Sequence, residues 1–62
     1  MIHILAEDLP NFNLATERVI SVLGNGMAKA ETELTVGDPQ VIANVKGYWV
    51  KDLIRIDIKF RS

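Results

Sequence analysis

The last segment of the chain alternates apolar and charged residues with a period of two. Four apolar and four charged side chains take turns along it: Ile54, Arg55, Ile56, Asp57, Ile58, Lys59, Phe60 and Arg61. Successive residues of a strand point to opposite faces of a sheet, so this pattern predicts a strand with one buried and one solvated face. A chain that ends in this way needs another layer to cover the buried face.

The segment before it predicts a second strand and a hairpin. Val41–Val50 is mostly apolar and rich in residue types that favour strands, and Lys51-Asp52 is expected to form a tight turn into the last strand. Alternation places Val41, Val45 and Trp49 on the face that meets the last strand's apolar side. A glycine inside a strand often marks a bulge, so Gly47 leaves open a register shifted by one residue, which would exchange the two faces.

One helix is predicted over residues 14–23. Its apolar residues recur at helical spacing, Asn13 is a plausible N-cap, and Gly24-Asn25-Gly26 is typical of a helix stop with a left-handed glycine. Ile2–Ala6 has the composition of a short strand, and residues 8–13, which contain Pro10, are expected to form a turn.

Residues 27–36 fit two structures. Strong helix formers favour a helix here, which is the preferred interpretation, whereas the alternation of Ala30, Thr32 and Leu34 with charged residues fits a strand. The expected fold class is therefore α+β: a single domain, residues 1–62, with a small antiparallel sheet packed on one helix. The element order is β-α-β-β with one further helix or strand at 27–36, and a β-hairpin closes the chain.

Short length and apolar composition together predict self-association. A chain of 62 residues buries a small fraction of its surface, and this one has no cysteine for disulfides and one histidine, His3, so no metal site or other cofactor is expected. Yet 48% of its residues are hydrophobic. Burial of apolar surface between identical copies accounts for both observations, so a homo-oligomer is expected.

The surplus apolar residues are expected on the side of the sheet away from the helix. We call this side the outer face, and Leu5, Ile42, Tyr48 and Val50 are predicted to share it. An exposed apolar patch of this kind usually marks an interface.

Charge is distributed unevenly along the sequence. Residues 1–45 carry a net charge of −4 and residues 46–62 a net charge of +3, within a total of −1. Aromatic side chains among basic ones can stack bases and neutralise phosphates, so the hairpin is also a candidate surface for an anionic ligand or nucleic acid. The residues of this candidate surface are Lys46, Tyr48, Trp49, Lys51, Arg55, Lys59 and Arg61. The competing interpretation keeps Trp49 in the core and the basic residues in solvent.

No catalytic motif is recognisable. His3 has no partner at motif spacing, Glu7 and Asp8 are adjacent and are interpreted as solvated turn residues, and the Gly24-Asn25-Gly26 segment follows a helix, whereas phosphate loops precede one. The sequence therefore favours a non-enzymatic protein. An enzyme whose site forms between subunits, with His3 meeting residues of a neighbour, remains an alternative.

Parts of the chain resemble two known families. Ile4–Pro10, Arg18–Leu23 and Glu33–Gly37 resemble the strand, turn, helix and second strand that begin ACT-type regulatory domains, although Asn11 replaces the glycine of the effector site. Chain length and the closing hairpin are similar to dodecins, small ring-forming flavin binders of β-α-β-β order, although Trp49 lies late in its strand. These resemblances imply an oligomeric ligand-binding protein, and no functional residue is carried over from either.

The expected function is that of a small homo-oligomeric binding or regulatory module without catalytic activity of its own. No apolar run is long enough to span a bilayer and the first residues do not resemble a signal peptide, so no membrane partner and a cytoplasmic location are expected. Nucleic-acid binding and an inter-subunit site are the alternatives.

Overall fold

A computed structural model describes residues 3–62 and shows one helix packed on a three-stranded antiparallel sheet. Its elements are a 3₁₀ turn (Ala6–Asp8), α1 (Leu9–Gly24), β1 (Lys29–Val36), β2 (Val41–Val50) and β3 (Leu53–Arg61). The strands lie in the order β1-β2-β3, and β2 and β3 form the closing hairpin. The α+β class is thus confirmed. Over the described residues, no helix has the length and apolar character needed to cross a bilayer.

Helix α1 begins five residues earlier than predicted. Pro10 was interpreted as part of a turn, but it lies in the first turn of the helix, where a missing amide proton costs nothing. Asp8, and not Asn13, therefore occupies the N-cap position. The end of the helix is as expected, because Gly26 has φ +99° and its amide donates to the Leu23 carbonyl.

Residues 29–36 form a strand, so the helix preferred for this segment was wrong. The alternating pattern decided the outcome, because it gives β1 an inner row from Ala30 to Val36 that packs under α1.

The strand predicted at Ile2–Ala6 does not form over its described residues. His3 makes one isolated bridge to Asp38, and Ala6 already belongs to the 3₁₀ turn; Ile2 lies outside the described residues. The order after this turn is α-β-β-β, which differs from the predicted β-α-β-β order.

The core lies between α1 and the first two strands. Ala15, Val19 and Leu23 of the helix pack on Val45, and Phe12 packs near the buried residues at the other end of the sheet. Those buried residues are Val36, Val41 and Ala43. The inner face of β2 is therefore the one that alternation predicted.

Gly47 is required by close packing and marks no bulge. The pairing runs without interruption through Ala30↔Gly47 and Gly47↔Ile56. A Cβ atom at position 47 would overlap side-chain atoms of Val19 and Leu23. The helix thus lies directly over this position, and the register shift considered from the sequence does not occur.

Asp8 connects the start of the helix with the β1–β2 turn through hydrogen bonds. Its Oδ2 accepts hydrogen bonds from the Leu5 and Gly37 amides, both 3.0 Å long, and the residue is buried. The expectation that Asp8 is a solvated turn residue was therefore wrong. One carboxylate oxygen holds together two segments that are 29 residues apart in sequence.

Candidate functional site

A row of partly uncovered apolar side chains lies on the helix side of β3. We call its four residues the β3 strip: Ile54, Ile56, Ile58 and Phe60. Ile54 and Ile56 are half-buried by the helix, but Ile58 and Phe60 are 43% and 45% exposed. An α-helix is about 10 Å wide and strands lie about 4.8 Å apart, so one helix covers about two strands. Here it covers β1 and β2, and β3 lies beyond its edge.

The flank of α1 beside the β3 strip is also apolar. The rings of Phe12 and Phe60 meet edge to face with their centroids 6.4 Å apart, which fixes the flank that faces β3. Leu9 lies three residues before Phe12 and Ile20 eight residues after it, so helical geometry places both on this flank. They are 55% and 43% exposed. The exposed apolar surface therefore continues from the strand onto the helix.

The outer face of the sheet brings together most of the residues that the sequence singled out. Lys46 and Tyr48 of β2 lie directly opposite Asp57 and Arg55 of β3. Ile42, Val50, Lys59 and Arg61 share this face by alternation.

The predicted apolar patch is largely absent from the outer face. Ile42 and Tyr48 are half-buried among charged neighbours, and Val50, 43% exposed, lies at the hairpin tip opposite Leu53. Apart from Val50 and Leu53, the exposed large apolar side chains of the strands lie on the helix side of the sheet.

Asp57 is the centre of a small polar cluster on the outer face. The Tyr48 hydroxyl donates to Asp57 Oδ2 at 2.9 Å, and Arg55 Nε donates to Asp57 Oδ1 at 3.3 Å. The Tyr48 bond, more than Arg55, lowers the pKa of Asp57 below its ordinary value, and the same bond raises the pKa of Tyr48. Tyr48 is thereby held in place as a neutral donor.

A second ion pair connects the two edge strands across the outer face. Arg61 Nη2 donates to Glu33 Oε2 at 2.6 Å, and this hydrogen bond lowers the pKa of Glu33. Both side chains are well exposed. The pair therefore contributes little to stability but neutralises Arg61 within its own chain.

An open groove of ≈ 410 Å³ lies between these two ion pairs. Its lining carries three lysines, two acids, an amide and a phenol: Lys29, Glu31, Asn44, Lys46, Tyr48, Asp57 and Lys59. Interleaved charges of both signs suit a polar ligand that has donors as well as anionic groups.

Three of the predicted site residues lie elsewhere. Trp49 is on the helix side, where its indole Nε1 donates to the Leu23 carbonyl at 3.3 Å and the residue remains 42% exposed. Leu5 precedes the 3₁₀ turn and belongs to no strand, and Lys51 lies in the hairpin turn with φ +58°. The outer face thus presents one aromatic side chain, Tyr48, and not a row of stacking rings.

Sequence reasoning missed the β3 strip as a surface, although it identified all four of its residues. Width was the overlooked signal, since a single helix cannot cover an additional strand at 29–36 as well as the hairpin. Asp8 was missed because its partner Gly37 is distant in sequence.

No family model, curated protein or solved structure matches the chain. Among the described residues, no three His, Asp or Glu side chains come close enough to hold a metal ion. His3 is exposed, and its carbonyl accepts a hydrogen bond from the Asp38 amide.

Proposed function

We propose that this protein is a homo-oligomeric binding module whose identical copies associate through their β3 strips. The observation that carries the proposal is the uncovered row of Ile58 and Phe60 beside the exposed helix flank. Isolated apolar residues are common on protein surfaces, but a contiguous set that continues from a strand onto a helix is typical of an interface.

The shape of the chain supports this proposal. A globular monomer of 6.9 kDa exposes about 4,000 Å², whereas this chain exposes 4650 Å². Its radius of gyration is 12.3 Å, against about 10.6 Å for a compact domain of 62 residues. Both differences mean that the chain buries less of its surface than a compact domain of its size, and association with a second copy would bury part of the excess.

The outer face supports the binding half of the proposal. Self-association on the helix side leaves the groove around Tyr48 and Lys46 in solvent on every copy. Repetition of the same groove in an oligomer raises the effective affinity for a multivalent partner without any new contact. The three lysines of the groove, Lys29, Lys46 and Lys59, favour a partner with anionic groups.

Light scattering over a concentration series tests self-association. We expect a mass of at least twice 6.9 kDa for the wild type and the monomer mass for Ile58→Glu, which places a charge in the β3 strip. Met27→Glu is the matched control, because Met27 is 55% exposed but lies outside the strip. A wild-type chain that stays monomeric at every concentration would contradict the proposal.

Nucleic-acid binding is the second candidate, and one observation favours it. Lys46, Arg55, Lys59 and Arg61 all lie on the face that carries Tyr48, so alternation gathers the basic residues of the hairpin on one surface. The separation of Trp49 from this face and the presence of Asp57 within it weigh against the candidate.

A mobility-shift titration with single-stranded DNA tests this second candidate. It predicts binding that weakens steeply as salt rises and that is lost in a Lys46→Glu/Arg55→Glu variant. The absence of a shift at low salt would rule it out, whereas the self-association proposal would be unaffected.

A further inference from the structure

The free edge of β3 carries a specific set of backbone groups. The Trp49 amide donates to the Ala28 carbonyl, which shows that the helix-facing residues of β2 are hydrogen-bonded to β1. In an antiparallel ladder the outward-facing residues of β2 then bond to β3. The amides and carbonyls of Ile56, Ile58 and Phe60 consequently point away from the sheet.

Of the features that usually protect a free strand, this edge has only charged side chains, and they lie on its outer face. β3 is nine residues long, contains no proline or glycine, and pairs with β2 without a bulge. Its unpaired backbone groups belong to the same residues as the β3 strip. A neighbour that bonds to the edge therefore also meets exposed apolar side chains.

We propose that a second copy of the chain pairs with β3 antiparallel about a two-fold axis, with Ile58 opposite Ile58 of the partner subunit. The inference rests on the proposed function, since it specifies how two copies associate. It produces a continuous six-stranded sheet with both helices on one side, and it lengthens the apolar row from one strand to two.

Charge complementarity and the pairing of the apolar side chains together favour this register. With the axis at Ile58, each Asp57 lies opposite a Lys59 across the junction, and each Phe60 lies opposite an Ile56. Opposite charges in directly facing positions stabilise strand pairing. Arg61 would face Arg55, but it already has its counterion, Glu33, in its own chain.

The neighbouring registers are less favourable. An axis at Asp57 would place two carboxylates opposite each other and Arg55 opposite Lys59, so that like charges meet on both sides. An axis at Ile56 would also pair opposite charges, Asp57 with Arg55, but it would place Phe60 opposite the hairpin turn and leave its ring without a strand partner.

Charge reversal provides a test that depends on the register. The variants Asp57→Lys and Lys59→Asp each place like charges opposite each other in their own dimer, so each is expected to dimerise about 2- to 30-fold more weakly than wild type. When the two variants are mixed, both facing pairs formed by positions 57 and 59 are opposite in charge. Native mass spectrometry should then show heterodimers in excess over both homodimers.

A double variant and a control complete the experiment. Asp57→Lys/Lys59→Asp is expected to recover wild-type dimerisation, which guards against the single changes acting through the Tyr48 and Arg55 contacts; circular dichroism checks that each variant folds. Glu31→Lys, on the outer face of β1, is expected to leave dimerisation unchanged.

The possible outcomes separate this inference from the proposed function. Oligomers that form as tightly in the charge-reversed variants as in wild type, or a statistical mixture of dimers, would overturn β3 pairing and leave self-association standing. Weakening by Glu31→Lys would show pairing of β1 with β3 and would also overturn the inference. A monomeric wild type would overturn both proposals.

Discussion

β1 and β3 are the two edge strands of one sheet, and they differ in what covers them. β1 lies under α1, its inner row ends at the fully buried Val36, and its outward residues include Glu31 and Glu33. β3 has the more regular alternation, yet Ile58 and Phe60 on its inner face are exposed. The difference teaches that amphipathic pattern decides which face of a strand turns inward, whereas helix width decides which strands are covered.

The helix-covered half should carry most of the stability of the subunit. Leu23 is 1% exposed, so Leu23→Ala should lower the free energy of unfolding by about 3 kcal/mol, through lost apolar burial and the cavity left behind. Ile58→Ala, on the uncovered half, should cost about 1 kcal/mol or less in dilute solution. Urea denaturation measures both variants, and equal losses would show that the two halves do not differ.

The contact of the helix with β2 should tolerate no added methyl group. Gly47→Ala places a Cβ against Val19 and Leu23, so it should destabilise the fold by about 1–3 kcal/mol. Gly24→Ala is the matched control, because a Cβ there has nothing within 4 Å and alanine favours a helix. Thermal denaturation should show opposite shifts for the two variants. A Gly47→Ala variant as stable as the wild type would mean that the helix does not pack closely over β2.

The Asp8 hydrogen bonds that connect the helix start with the β1–β2 turn should make the next largest contribution to stability. Asp8→Ala leaves the Leu5 and Gly37 amides without their acceptor, which should cost about 1–2 kcal/mol. Glu7→Ala, one residue earlier, is the control and should be nearly neutral because Glu7 is exposed. Chemical denaturation measures the stability of both variants. Equal losses in Asp8→Ala and Glu7→Ala would contradict the stabilising role of the buried Asp8 carboxylate.

The smallest expected effect concerns the carboxylates near the two edges. The Tyr48 hydrogen bond lowers the pKa of Asp57, so its stabilising effect is present above the ordinary value of 3.8 and is lost as pH falls through the folded-state pKa. Tyr48→Phe should raise the pKa of Asp57 toward 3.8 and leave Glu33, held by Arg61, unchanged. Carbon NMR titration of the carboxyl groups measures both residues. An unchanged pKa of Asp57 in Tyr48→Phe would contradict the assigned hydrogen bond.

Much of the hairpin could be predicted from sequence, and the start of the chain could not. The strands at 41–50 and 53–61 and the inward face of Val41, Val45 and Ile56 follow from a period-two pattern over many residues. Residues 29–36 were misassigned because local helix propensity was weighted above alternation. The structure of such a segment depends on its tertiary contacts. Residues 29–36 gain a hydrogen-bonded partner, β2, when they form a strand, and no local pattern reveals this.

The candidate site was predicted in composition but not in location. Alternation placed Lys46, Tyr48, Arg55 and Lys59 on one face correctly. The position of the apolar surplus depends on where the helix lies across the sheet, and that is fixed by a close approach at Gly47 that sequence cannot show. Asp8 depends on a contact distant in sequence, so it lay outside the reach of local reasoning in the same way.

Amide hydrogen exchange at the two edges, measured over a range of protein concentrations, tests the central claim most directly. The account predicts that the amides of Ile56, Ile58 and Phe60 exchange more slowly as concentration rises, because a second copy covers β3, while those of Glu31 and Glu33 on β1 do not change. Exchange at Ile56, Ile58 and Phe60 that is equally fast at every concentration would contradict it.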